Sequence, residues 1–276
     1  MTSEIVLTIL GCGSSAGGPR LGGPELAGDW GKCDPANPKN RRTRCSVLVE
    51  RRSAAGVTRV LVDTAPDLRE QLLKAKVADV DAVLITHDHA DQIHGFDDLR
   101  QIAHYTKRRV EVWADARTGE TLMERFGYCF KAPAHSGYPP ITNLNIIPEP
   151  FAPFEIGGRG GPLPIRAFVQ QHGSIRSLGF RFGPLAYSPD VNRLDEDAFA
   201  ALDGTETWVV DALRHKPHPS HAHVALALEW IARVKPRRAV LTNLHQDLDY
   251  EALKASLPAG VEPAFDGLVT GAEVES

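Results

Sequence analysis

The alternation of apolar and polar positions divides the first half of the chain into short strands, turns and helical stretches. Glu4 to Leu10 reads as a strand and runs into Gly11-Cys12-Gly13-Ser14-Ser15-Ala16-Gly17-Gly18-Pro19-Arg20. That glycine density predicts a loop whose backbone can approach a ligand. A polar segment rich in Pro, Asn and Gly follows from Gly22 to Arg44. Cys45 to Glu50 and Val57 to Asp63 then read as paired strands about a turn at Ser53 to Gly56. Asp67 to Lys76 has helical spacing, with Leu68, Leu72 and Leu73 on one side and Pro66 suited to a helix start. Further on, Val83 to Ile85 is a short apolar run, Phe96 to Tyr105 and Thr118 to Phe126 fit helices, and Val110 to Trp113 fits a strand.

Tyr128 to Pro150 is aromatic and proline-rich and matches neither period, so it reads as an inserted lid or subunit-contact segment, one role for which is a homodimer interface. The second half resumes the alternation. Strands are predicted at Ile165 to Gln170, Ser177 to Phe182, Leu185 to Ser188, Trp208 to Asp211 and Arg238 to Thr242, and helices at Asp195 to Leu202, His221 to Val234 and Tyr250 to Ser256. Two sheets with helices outside both is the economical architecture. We find no internal repeat, and 276 residues with 42% hydrophobic content suit one large domain over 1–276.

A net charge of −4 provides no global basic field, which argues against an extended nucleic acid as the main substrate. No apolar run approaches the ~20 residues of a bilayer span, and Met1 to Leu10 is too short and too lightly charged for a signal peptide, so no membrane association and a cytoplasmic location are expected. Cys12, Cys33, Cys45 and Cys129 contain no C-x-x-C pair and read as reduced thiols, although Cys33 and Cys45 could share a metal.

The chemistry concentrates in Thr86-His87-Asp88-His89-Ala90-Asp91-Gln92-Ile93-His94-Gly95, directly after the apolar run. His87, His89 and Asp91 are three metal-capable side chains at alternate positions, and imidazole and carboxylate suit zinc and other divalent ions. Histidines also cluster on wet loops, but three such donors in five residues after a strand favour a metal site. Four more donors follow predicted strands: His172, Asp190, Asp211 and His245.

With these in order after Asp63, the sequence resembles the metallo-β-lactamase superfamily over nearly its whole length. The Gly-rich start, the Thr-His-Asp-His-Ala-Asp block and the late Asp211…Pro-Ser-His look most like its cyclic phosphodiesterase branch, which opens phosphoribosyl 1,2-cyclic phosphate and neighbours the tRNA 3′-processing endonucleases. The resemblance implies an α/β (α+β) fold, a four-layer αββα sandwich of two mixed sheets with helices outside. It also implies a metal-dependent phosphodiesterase acting on a small cyclic phosphate or a nucleotide or sugar phosphodiester. His87, His89 and His172 would hold one divalent ion, Asp91 and His245 a second, and Asp190 would bridge them. The ions would be Mn²⁺ or Zn²⁺, and the bridging water between them would be the attacking group, with Asp91 and Asp190 counted among the catalytic residues. Asp63 would orient the loop carrying the histidines, with His94 and Asp211 also supporting the site.

Gln92 departs from the family pattern, which has a second-metal histidine at this position. A carboxamide suits zinc poorly, so the second site should be weaker or favour a harder ion. His221, in Pro217-His218-Pro219-Ser220-His221-Ala222-His223, matches the histidine that contacts phosphate and protonates the leaving group. His223 is the other candidate and, with Arg20 and Ser14, is assigned to substrate binding. The basic cluster Lys39, Arg41, Arg42 and Arg44, with Arg20, could clamp phosphate, but a short charge run reads first as a solvated loop. Two other readings stand beside the diesterase: a thioesterase or lactonase, since metal-activated water also attacks carbonyls, and a non-catalytic binding or carrier protein like the pyrroloquinoline quinone biosynthesis member of the superfamily. An endonuclease is disfavoured by the acidic charge and the lack of a long flexible arm.

Overall fold

The computed structural model describes residues 3–132, 134–135 and 137–274. Six strands open the chain: β1 Ser3–Gly11, β2 Ser46–Ser53, β3 Gly56–Val62, β4 Ala82–Leu84, β5 Val110–Ala114 and β6 Thr142–Ile146. Seven more follow: β7 Phe154–Ile156, β8 Leu163–His172, β9 Ile175–Phe182, β10 Leu185–Ser188, β11 Thr207–Asp211, β12 Arg238–Thr242 and β13 Val261–Pro263. A last strand, β14 Val269–Val274, returns to pair with β1. The first sheet runs β14-β1-β2-β3-β4-β5-β6 and the second β13-β12-β11-β10-β9-β8-β7. Both are mixed. β1 to β3 are antiparallel and β3 to β6 parallel; β7 to β10 are antiparallel and β10 to β13 parallel.

The period-2 pattern explains the layering, because successive side chains leave opposite faces of a strand. Ile5, Leu7, Ile9, Val47, Val49, Val60 and Val62 pack against Leu163, Ile165, Leu178, Phe180, Phe182, Tyr187 and Val209 in a core between the sheets. The alternate residues Leu10, Leu48 and Leu61 face out, onto α1 (Leu68–Ala75), α3 (Leu99–Thr106) and α4 (Ala116–Phe130). Ala186, Trp208, Val210 and Leu241 meet α5 (Glu196–Leu202), α6 (Val224–Val234) and α7 (Tyr250–Ser256) on the far side. The expected four-layer αββα sandwich is what the chain forms. Among the described residues no helix is long and apolar enough to cross a membrane.

Several elements differ from the sequence reading, and β7, β13 and β14 have no counterpart in it. Tyr128 to Pro150 is not a separate lid: Tyr128, Cys129 and Phe130 close α4, and Thr142–Ile146 form the edge strand β6 beside β5. The signal was weak because Gly127 falls inside the helix, three residues before its end, and the strand alternates apolar residues with asparagine. Asn143 and Asn145 use their amides to bind Glu111 on β5 at 2.6 and 2.7 Å. Leu73 turns outward from α1, 59% exposed. The helix predicted from His221 starts only at Val224, with His223 at its N-cap, so His221 sits on the preceding loop. A one-turn helix, α2 (Ala90–Ile93), falls inside the histidine motif itself.

Candidate metal centre

Most donors at the site stand at or just beyond the end of a strand, and His221 comes from the loop before α6. Asp63 follows β3 and is fully buried with a left-handed backbone, φ +64°. Its Oδ1 accepts the Thr86 backbone N–H at 2.8 Å, and its carboxylate also accepts the Thr86 hydroxyl at 3.0 to 3.1 Å. Burial pushes this carboxyl up, against the pull of the Thr86 donors. With its proton committed to Asp63, the Thr86 hydroxyl oxygen accepts from His87 Nδ1 at 3.0 Å. His87 then carries its proton on Nδ1, which leaves Nε2 a bare lone pair. That Nε2 is buried without a hydrogen-bond partner among the described residues, and burial holds the ring well below the usual imidazole pKa.

The same logic fixes His172, at the end of β8. Its Nδ1 lies 2.6 Å from the Ser220 carbonyl, which can only accept, so Nε2 is again the free lone pair. It faces His89 Nδ1 at 3.3 Å. The ligand atoms of His87, His89 and His172 all fall within 4.8 Å of one another. Three imidazoles with their ligand atoms brought together, one of them with a buried orphan nitrogen, fit a divalent cation.

Asp190 sits two residues past β10, buried and left-handed at φ 48°. Asn243, also left-handed, donates to its Oδ1 at 3.1 Å, and Gln92 donates to its Oδ2 at 3.1 Å. Asp190 forms a second compact donor group with His172 and His221. His221 Nδ1 lies 2.8 Å from Asp211 Oδ2 at the end of β11. Burial alone would lower its pKa, but the charge and hydrogen bond of Asp211, backed by Asp190 and Asp91, push it up to about 9. Nδ1 is committed to Asp211, so the ring presents Nε2.

The other donors predicted from sequence are placed differently. Asp91, on α2, and His245, beyond β12, belong to neither compact group. Asp91 Oδ2 accepts Gln92 Nε2 at 3.3 Å, while His245 Nδ1 accepts the Asp247 N–H at 3.1 Å and faces the Asp247 carboxylate at 3.3 Å. Two compact donor groups, His87, His89 and His172, and His172, Asp190 and His221, thus share His172. His94 is exposed, lining an open cleft of about 680 Å³ with Asp88, His89, Ala90, Arg125 and Phe126. His223, half-buried, makes no side-chain cap.

The Gly-rich loop reaches the site through a bridge between Gly13 and Leu244, which sets Ser14 beside the His245 segment. Ser14 Oγ and Arg20 Nε are buried donors without acceptors among the described residues. The Arg20 charge, with Arg214, adds to burial in lowering the His245 pKa. The remaining basic cluster is structural: Arg42 donates to the His245 and Leu248 carbonyls, Arg44 pairs with Asp67, and Lys39 and Arg41 lie over the Tyr250 and Trp30 rings. Cys33 and Cys45 point to separate backbone carbonyls, and burial raises both thiols, so they share no site. Sequence reasoning missed Asn243 and Arg214. An asparagine just past an apolar strand, tolerant of left-handed backbone, was the available signal for the first.

Residues 58–243 match the family model described as a β-lactamase superfamily domain, two thirds of the chain and nearly all of the strands that carry these donors. The chain belongs to the metallo-β-lactamase superfamily. The match to a solved structure described as a new diphosphatase from the PhnP family has 30% identity over 99% of both chains and a TM-score of 0.85, and places this domain on the phosphodiesterase-like branch of the superfamily's hydrolases. A zinc-bound PqqB from Methylobacterium extorquens shares the fold, at 18% identity, TM-score 0.70, and 96% and 99% coverage of the two chains. A curated relative, the octanoyltransferase of Porphyromonas gingivalis (strain ATCC BAA-308 / W83), is 30% identical over 263 residues. That alignment takes in 94% of this chain and 50% of the relative, so the chain spans about half the length of the curated relative it matches. The metallo-β-lactamase fold implies divalent metal, and the donors around His87, His89 and His172 fit one ion.

Proposed function

We propose that this metallo-β-lactamase domain hydrolyses a small phosphodiester, a cyclic phosphate or a nucleotide or sugar diester, whose leaving group is an alkoxide. The observation that carries this reading is the Asp211–His221 pair. A histidine kept protonated up to about pH 9 beside the metal donors is what a poor leaving group requires and a good one does not. When bound, a divalent ion at His87, His89 and His172 polarises a phosphoryl oxygen and makes water nucleophilic near neutral pH.

The chain's own residues supply the rest. His221 Nε2 donates its proton to the departing oxygen, and the Asp211 carboxylate holds the resulting neutral ring on the correct tautomer. Ser14 Oγ and Arg20 Nε, buried donors in need of an acceptor, suit the nonbridging oxygens and the flanking substrate oxygens. His223, two residues beyond the acid, contributes to the same rim.

A second reading is hydrolysis of an acyl thioester, favoured by the name of the octanoyltransferase relative. A transfer reaction through a thiol of this chain is disfavoured, since all four cysteines are buried and burial raises each. The two readings separate with His221→Ala. Without its acid, kcat/KM for a 2′,3′-cyclic nucleotide should fall by about 10²- to 10⁴-fold. Bis(p-nitrophenyl) phosphate, whose phenolate leaves unaided, should change little. Equal losses on both diesters, or no turnover of either against ready cleavage of octanoyl thioester, would overturn the diesterase reading.

A further inference from the structure

We infer that this chain holds a single metal ion, and that the Gln92 side chain takes over the role of the second. Asp91 and Asp190 present oxygens toward one another in a largely buried space, where two carboxylates need a cation or a strong donor between them. Gln92 Nε2 fills that need, lying 3.1 Å from Asp190 Oδ2 and 3.3 Å from Asp91 Oδ2. A primary amide has two N–H groups, one for each carboxylate.

The side chain has nowhere else to go. Gln92 is fully buried, and its backbone carbonyl is held by the Thr64 N–H at 2.7 Å. Turning the amide over would set Oε1 against both carboxylates and, if an ion came in, would offer it one neutral oxygen, a weak ligand for zinc. Gln92 Oε1 is itself buried and unpartnered, which fixes the amide by what its nitrogen does. His245, the last donor of a second site, has its Nδ1 beside the Asp247 N–H and carboxylate and joins neither compact donor group. The ion that remains is bounded by His87, His89 and His172, with Asp190 Oδ1 4.0 Å from His172 Nε2.

This inference concerns the metal complement of the site on which the proposed function rests, so its test counts metal and uses no substrate. The protein is stripped with chelator and titrated with Zn²⁺ and, separately, Mn²⁺, with binding followed by calorimetry and elemental analysis after gel filtration. Wild type should take up one ion per chain. Asp91→Asn should still take up one, since Asp91 is not a ligand, and Gln92→His should take up two. Two ions per chain in the wild type, loss of an ion in Asp91→Asn, or a Gln92→His protein that stays at one would each overturn the inference. Any of these results is independent of whether the substrate is a phosphodiester.

Discussion

The Asp211–His221 pair keeps its proton well past neutrality, which gives a test at the level of a single side chain. A general acid works only while protonated, so kcat/KM for a cyclic phosphate should fall as pH rises through its pKa, giving an alkaline limb near pH 9. Asp211→Asn keeps a hydrogen-bonding partner but removes the charge that opposes the effect of burial. The limb should therefore move to lower pH, toward the ordinary imidazole value. A pH–rate profile checks this; a limb that stays in place would remove His221 from the proton-transfer step. Part of this scale was legible in the sequence: His87, His89, His172 and Asp190 were singled out by their positions after apolar runs, and the structure sets them in two compact donor groups that share His172. The tautomers were not legible, because they depend on Thr86 and Ser220, a hydroxyl and a backbone carbonyl that carry no pattern of their own.

Elements place these groups through their ends. Asp63 closes β3 and grips Thr86, which begins the turn from β4 into α2, so one carboxylate ties two strand ends to the histidine motif. Asp63→Ala should weaken metal binding by about 10- to 100-fold without altering stoichiometry, measured by competition with a chelating dye. Unchanged affinity would mean that packing alone sets the motif. Most of the strands and the helices α1, α5 and α7 were readable because period 2 and period 3.6 were clean, and α5 and α7 are capped: Asp195 and Asp249 each accept the third helical N–H of their helices. The boundaries of α4 and β6 were not. Their apolar residues are interrupted by polar ones that find partners only in the folded sheet, as Asn143 and Asn145 do on Glu111. His245 shows the same limit, since its position after β12 was evident but its engagement by Asp247 was not.

At the scale of the whole molecule, His87 and His89 extend from the first sheet and His172 from the second, so the bound ion is a cross-link between the two halves of the sandwich. Chelator should lower Tm reversibly, and an ion at 100 times its Kd should add about 2.7 kcal/mol of stability. Scanning calorimetry with and without added Zn²⁺ checks this, and coincident transitions would show that the sheets hold together without it. The layered architecture was readable because central strands such as β4 and β10 to β12 are apolar on both faces, which requires cover on both sides. The peptide linking Ser220 to His221 has a wider consequence. On the proposed reading its carbonyl orients a metal ligand while its next side chain delivers the proton, so a sequence change there would alter affinity for the cation and leaving-group chemistry together. Divergence toward new substrates is therefore channelled away from this loop. It is left to the rim that can vary without that double penalty: the Ser14 to Arg20 turn, Arg214, and the Arg125 and Phe126 edge of the open cleft.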